Sequence, residues 1–152
     1  MATYTDALGF NKGTSATYPE KGTNATTMVS IDLDMAAITA ARSAAGATAL
    51  ADNDILEVIR VPAKTLVLAV GLDVTTAEGG TCTIDVGDGA TVDGFLDGVN
   101  ANTVASYCST LAAEAFDGGK YYAAADTIDV KFINAADVAV MRVWALMVDC
   151  ND

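Results

Sequence analysis

The sequence predicts an all-β fold, an antiparallel β-sandwich of jelly-roll type preceded by an extended N-terminal arm. Three observations predict it. From Lys64 to Asp149, short apolar runs alternate with period two and are broken by Gly, Asp and Asn turns. Each such strand carries an inner apolar face that only a second sheet can bury. The runs number roughly eight, with connections of about 2 to 15 residues, which suits a double-sheet jelly roll. At 152 residues the chain is one domain in size, enough to remove roughly 68 to 70 % of the unfolded surface from water.

Residues 1–27 are rich in Thr, Ala, Gly, Asn and Lys, with scattered apolar positions at Tyr4, Leu8, Phe10 and Tyr18. Such a segment buries too little apolar surface to offset its ordering entropy, so it reads as an arm that orders against a neighbour. The sandwich domain then spans 28–152. Met28 to Met35 alternates Val29, Ile31, Leu33 and Met35 against Ser30, Asp32 and Asp34, a strand at a sheet surface. The Ala-rich stretch Ala36 to Leu50 fits a short helix capped by Asp34 and ended at Gly46, and fits a loop as well.

Ile55 to Val61 and Thr65 to Val74 are strands separated by Pro62, which has no N–H for a ladder. In the longer one Leu66, Leu68, Val70, Leu72 and Val74 share a face and Val67, Ala69 and Gly71 line the other, so it is read as central. Glu78-Gly79-Gly80 is read as a turn into a hairpin partner, Thr81 to Val86, with Cys82, Ile84 and Val86 inward. The segment 87–102 is read as a corner where the chain changes sheet. Val104 to Leu111 is a further short strand, and Thr127 to Ile133 one with Ile128, Val130 and Phe132 inward. Val138 to Asp149 is apolar on both faces, which places it mid-sheet, with Trp144 in core packing.

Composition narrows function. With 20 acidic against 8 basic side chains the net charge is -12, which argues against nucleic acid as a partner, since phosphate binding needs clustered Lys and Arg. Such acidity suits solubility, or an acidic face that meets a basic surface. There is no histidine, so a conventional catalytic triad is impossible and no enzyme activity or cofactor is expected. Cys82, Cys108 and Cys150 form no CxxC pair and fit free thiols in a reducing cytosol. No run of eighteen apolar residues and no leader-like N-terminus occurs, so a soluble protein without a membrane partner is expected.

Two chemical constellations stand out in the sequence. Asp85, Asp88, Asp93 and Asp97 in IDVGDGATVDGFLDG suggest calcium, but an EF-hand register starting at Asp85 puts Gly87, Gly89 and Leu96 where oxygen ligands belong, so turn formation is favoured and no metal is assigned. Paired carboxylates of glycosidase type are uninformative among so many acids. Tyr107, Phe116, Tyr121, Tyr122 and Trp144 are the candidates for a sugar-stacking platform.

The stretches LVLAVGLDVTTAEGGTCTIDVGDGATVDGFLDGV at 66–99, AADTIDVKF at 124–132 and MRVWALMVD at 141–149 resemble the small jelly-roll decoration, or cement, proteins of tailed-bacteriophage heads. The resemblance covers slightly over half the chain and leaves out the N-terminal segment. It implies a virion protein, assembled in the host cytoplasm, that binds the outer capsid surface and bridges major capsid protein subunits. It also implies self-association as a homotrimer or homodimer. Under it, Tyr4, Leu8, Phe10 and Tyr18 become apolar anchors of the arm, and Lys12 and Lys21 its charged contacts. The competing expectation is a carbohydrate- or receptor-binding sandwich of a phage fibre or other minor virion component.

Overall fold

The structure, a computed structural model, describes residues 3–4, 26–111 and 114–150. Its strands are β1 (Thr3–Tyr4), β2 (Thr26–Asp34), β3 (Ile55–Val61), β4 (Thr65–Thr76), β5 (Thr83–Gly87), β6 (Leu96–Asn100), β7 (Ala105–Cys108), β8 (Lys120–Tyr122), β9 (Asp126–Phe132) and β10 (Val140–Asp149). The helix α1 spans Met35–Ala44, and a 3-10 turn covers Ser109–Leu111. Leu8, Phe10, Lys12, Tyr18 and Lys21 lie outside the described residues. Tyr4 falls in β1, which runs parallel to β3 with Tyr4 opposite Leu56.

Two sheets form, one ordered β2-β10-β4-β7 with β8 also on β4, the other β1-β3-β9-β5-β6. The pairing is nested: β5 with β6, β4 with β7, β3 with β9 and β2 with β10, all antiparallel. A long hairpin rolled over on itself gives this order, and it is the jelly roll. The core lies between the sheets, where Met141, Val143, Ala145 and Met147 of β10 join Ile128, Val130 and Phe132 of β9, all buried. Both central strands are those with the longest apolar patterns, because a mid-sheet strand is the one with no open edge.

The helix starts as its sequence dictates. Asp34 caps it by accepting the Ala37 amide (3.0 Å), and Gly46 follows its end at φ +70°. Met35 and Ile38 are its buried apolar anchors.

Four local readings need correction. Glu78-Gly79-Gly80 does not turn a hairpin: β4 and β5 lie in different sheets. The connection is tied down from afar, since the Glu78 carboxylate accepts the amides of Asp137 (2.9 Å), Val138 (2.9 Å) and Ala139 (2.7 Å). Conversely, the segment read as a corner holds the hairpin β5-β6, whose partners share one sheet. Turn residues encode a reversal, but which strand then pairs is decided by long-range contacts.

The uniform face drawn for β4 is also broken. Its register against β10 jumps between Leu146/Ala69 and Met147/Val67, leaving Leu68 as the extra residue of a β-bulge. Val67 therefore points inward and is buried, while Leu66 is half-exposed. Finally, Trp144 is on the outer face, half-buried, and Lys120–Tyr122 makes a strand of its own.

Candidate functional site: an apolar outer face and a buried carboxylate centre

A sandwich sheet ordinarily turns a polar face to water. The sheet containing β5 and β9 largely does so: Glu57, Arg60, Thr127, Lys131, Asp97 and Asn100 lie on its outer side, with Ile55, Asp85 and Asp129 buried among them. There Asp85 sits opposite Lys131, 3.6 Å from its ammonium, and accepts the Gly98 amide at the β6 bulge (3.0 Å).

The other sheet does not. Register places Thr26, Val148, Leu66 and Tyr121 in one row across its outer face, then Met28, Leu146 and Ala69, then Ser30, Trp144, Gly71 and Cys108. Met28 is 62 % and Tyr121 52 % exposed, and Leu66, Trp144, Leu146 and Val148 are half-buried between them. The indole of Trp144 lies against Gly71, where a Cβ would overlap its ring. The next row is polar: Asp32, Arg142, Asp73 and Ser106. Arg142 donates to both oxygens of Asp32 (2.7 and 3.3 Å), which holds the Asp32 carboxyl below its usual range. The face thus has an apolar body and a charged end.

In the sequence, the two-sided apolarity of β4 and β10 predicts cover on both sides. A two-layer sandwich has only one inner face per sheet, so the signal for an apolar outer face was present and was assigned to burial.

At one end of the sandwich the Asp-rich loop closes on itself. Asp88 is fully buried. Its Oδ1 accepts the amides of Ala90 (3.0 Å) and Thr91 (2.9 Å), and its Oδ2 accepts the Tyr122 hydroxyl (2.8 Å) and the Lys120 ammonium. The Lys120 nitrogen lies 4.2 Å from the Phe116 ring centroid, and Phe116 meets Phe95 edge-on at 5.0 Å. Burial would raise the Asp88 pKa, but Lys120, Tyr122 and the two amides outweigh it and hold the carboxyl below its ordinary range. Among the described residues no three acidic or thiol side chains gather at metal-ligand spacing. Asp88 and Asp85 work as acceptors for backbone amides of the turns.

The aromatic candidates for a sugar platform are dispersed. Tyr122 and Phe116 belong to the Asp88 centre, and Tyr107 donates its hydroxyl to the Asn100 carbonyl (3.1 Å). Only Trp144 and Tyr121 among them line the apolar outer face. The thiol of Cys82 is buried, and burial together with the charge of Glu78 pushes it up to about 11.

One buried acid stands against the fold. Asp129 lies opposite Glu57 on β3, is 3 % exposed, and its Oδ1 has no hydrogen-bond donor among the described residues. Burial raises its pKa to about 6; a bond from Thr127 offsets part of this, while the charges of Glu57, Asp126 and Asp88 add to it. The folded state therefore holds this proton more tightly than the unfolded chain, so stability falls as pH rises from about 4 through 6. Asp129→Asn is expected to flatten that slope and to raise stability at pH 8 by about 1 to 3 kcal/mol. Urea unfolding of both proteins at pH 5 and pH 8 checks this, and equal slopes would refute it.

The fold and its two unlike faces define the class: a double-sheet jelly-roll domain with one apolar outer face. No protein-family model matches the chain, and no curated protein does. Solved structures match it in fold. A chain in the capsid of Ralstonia phage GP4 superposes with a TM-score of 0.67 at 18 % identity, over 99 % of this chain and 100 % of that one. A chain of the acid-stable capsid of Helicobacter pylori bacteriophage KHP30 gives 0.58 at 13 % identity, over 86 % and 92 %. One from the cyanophage Pam1 capsid gives 0.53 at 17 % identity, over 86 % and 90 %.

Proposed function

We propose that this chain is a structural protein of a tailed-phage virion, a decoration protein that binds the outer surface of the head and bridges major capsid subunits. The observation that carries the reading is the fold likeness over nearly the whole chain to a chain of the Ralstonia phage GP4 capsid, with two further phage capsids behind it. An apolar outer sheet face and a net charge of -12 fit a protein that works through surface contacts with another protein and not with nucleic acid. In this reading the segment between β1 and β2 is the arm that docks on the capsid, through Leu8, Phe10 and Tyr18 with Lys12 and Lys21 as charged contacts, and Tyr4, expected as a further anchor, lies at its root on β1. Self-association into a dimer or trimer adds contact area at a symmetry axis of the shell.

The test is co-sedimentation of the purified protein with expanded heads assembled without it, comparing wild type with Leu8→Asp/Phe10→Asp. Saturable binding by wild type and at least about tenfold weaker binding by the arm variant are expected, because two buried anchors are replaced by desolvated charges. Failure of wild type to bind refutes the virion reading. Glycan binding by the isolated protein would instead favour a carbohydrate-binding role.

A further inference from the structure

We propose that the apolar outer face of the β2-β10-β4-β7 sheet is, together with the arm, a surface on which this protein docks to the phage head, and that its occupant is a protein patch apolar at its centre and flanked on one side by Lys or Arg. The inference rests on the virion reading and deepens it by naming the contact surface and the partner's chemistry.

Three features carry it. The apolar rows run across the sheet, from Met28 on the edge strand β2 through Leu146 and Val148 to Leu66 and Tyr121. A contiguous apolar patch on a sheet's water side marks an interaction surface. The opposite sheet exposes no comparable run of large apolar side chains on its outer side, where Ile55 is buried and Glu57, Arg60, Thr127 and Lys131 share that side, so the apolar face belongs to one side of the molecule. The charged end then selects the partner. Asp32 and Asp73 are two carboxylates flanking a single guanidinium, Arg142, which Asp32 already holds in a two-pronged bond. That end is net negative and asks for a cation opposite. A second copy offers the wrong sign, since two such faces bring like charges together on chains of net charge -12 each.

The partner's Lys or Arg therefore sets orientation and encounter rate, and the apolar rows supply the area removed from water. Tyr121 and Trp144 are the large, rigid side chains of the face and its expected hot spots.

The experiment uses the full chain with heads assembled without it as the probe. Met28→Glu/Leu146→Lys exchanges a cross-strand apolar pair for an opposite-charge pair, which the pleated sheet accepts, and leaves net charge unchanged. Asp32→Asn/Asp73→Asn neutralises the acidic end. Thermal melts confirm folding, and light scattering gives the oligomeric mass of each protein.

Expected are loss of head binding by about a hundredfold in Met28→Glu/Leu146→Lys with its oligomeric mass intact, and about tenfold weaker binding with a flatter salt dependence in Asp32→Asn/Asp73→Asn. Wild-type binding with both variants binding equally well overturns the docking face and leaves the virion reading standing. A fall in oligomeric mass in the first variant shows a contact between copies and overturns the proposal. Full, equally salt-dependent binding by the second overturns the charge-matched partner. No binding by wild type removes the virion reading and this inference with it.

Discussion

Gly87→Ala is expected to cost at least about 3 kcal/mol, a large share of the roughly 5 to 15 kcal/mol that stabilises domains of this kind, and to lower the melting temperature by at least about 6 °C. A Cβ at Gly87 would overlap the Thr91 carbonyl oxygen and the Val92 backbone. Those atoms cannot retreat, because they belong to a turn fixed from several sides. The Asp88 amide donates to the Thr91 carbonyl (3.0 Å), the Phe95 amide to Val86 (2.9 Å), and the Asp88 side chain holds the Ala90 and Thr91 amides. Relief would break the hairpin between β5 and β6. Gly80→Ala is the control, since a Cβ there meets nothing within 4 Å. Thermal melts of both decide the matter, and a Gly87→Ala protein that melts within a few degrees of wild type would show that the turn does not pack this way.

Asp88→Ala is expected to destabilise by about 2 to 4 kcal/mol, because the buried Tyr122 hydroxyl and two turn amides lose their acceptor while Lys120, a quarter exposed, keeps access to water. The Lys120 ammonium and the Tyr122 hydroxyl would lose their shared acceptor, and the Ala90 and Thr91 amides their cap. Asp88→Asn keeps an acceptor for part of this set, so it should fall between Ala and wild type. The pH dependence has the opposite sign to that of Asp129. Asp88 has a lowered pKa, so its contribution is complete at neutral pH and is lost only as acid protonates the carboxylate, below its ordinary range. Asp88→Ala should accordingly lose less, relative to wild type, near pH 2 than at pH 7. Urea unfolding at the two pH values measures this, and an equal loss at both would show that the carboxylate's charge does not hold the centre together.

Strand identity was legible where period and length agreed. Ile128, Val130 and Phe132 point inward, and β4 and β10 are central, because apolar alternation is a property of a few consecutive residues. The cap at Asp34 and the stop at Gly46 were legible for the same reason, each acting within one helical turn. The hairpin partner of β5 was not. Thr83 pairs with Asn100, and a Gly-rich turn on either side of β5 was an equally good sign of reversal. Nor was Tyr122, a residue in a three-residue strand whose role depends on Asp88, 34 positions away.

The sequence by itself determined that the chain is all-β, where the longer strands run, that Asp34 and Gly46 suit the start and stop of a short helix, and that phosphate-backbone binding and histidine-based catalysis are disfavoured. These follow from local periodicity, capping chemistry and composition, which need no knowledge of distant residues. The tertiary structure alone decided which strands pair, that Leu68 forms a bulge and turns Leu66 outward, that Trp144 faces out over Gly71, and that Asp88, Lys120 and Tyr122 meet. The reason is physical: a one-residue slip in a strand exchanges its two faces, and only the sum of contacts across both sheets fixes the slip.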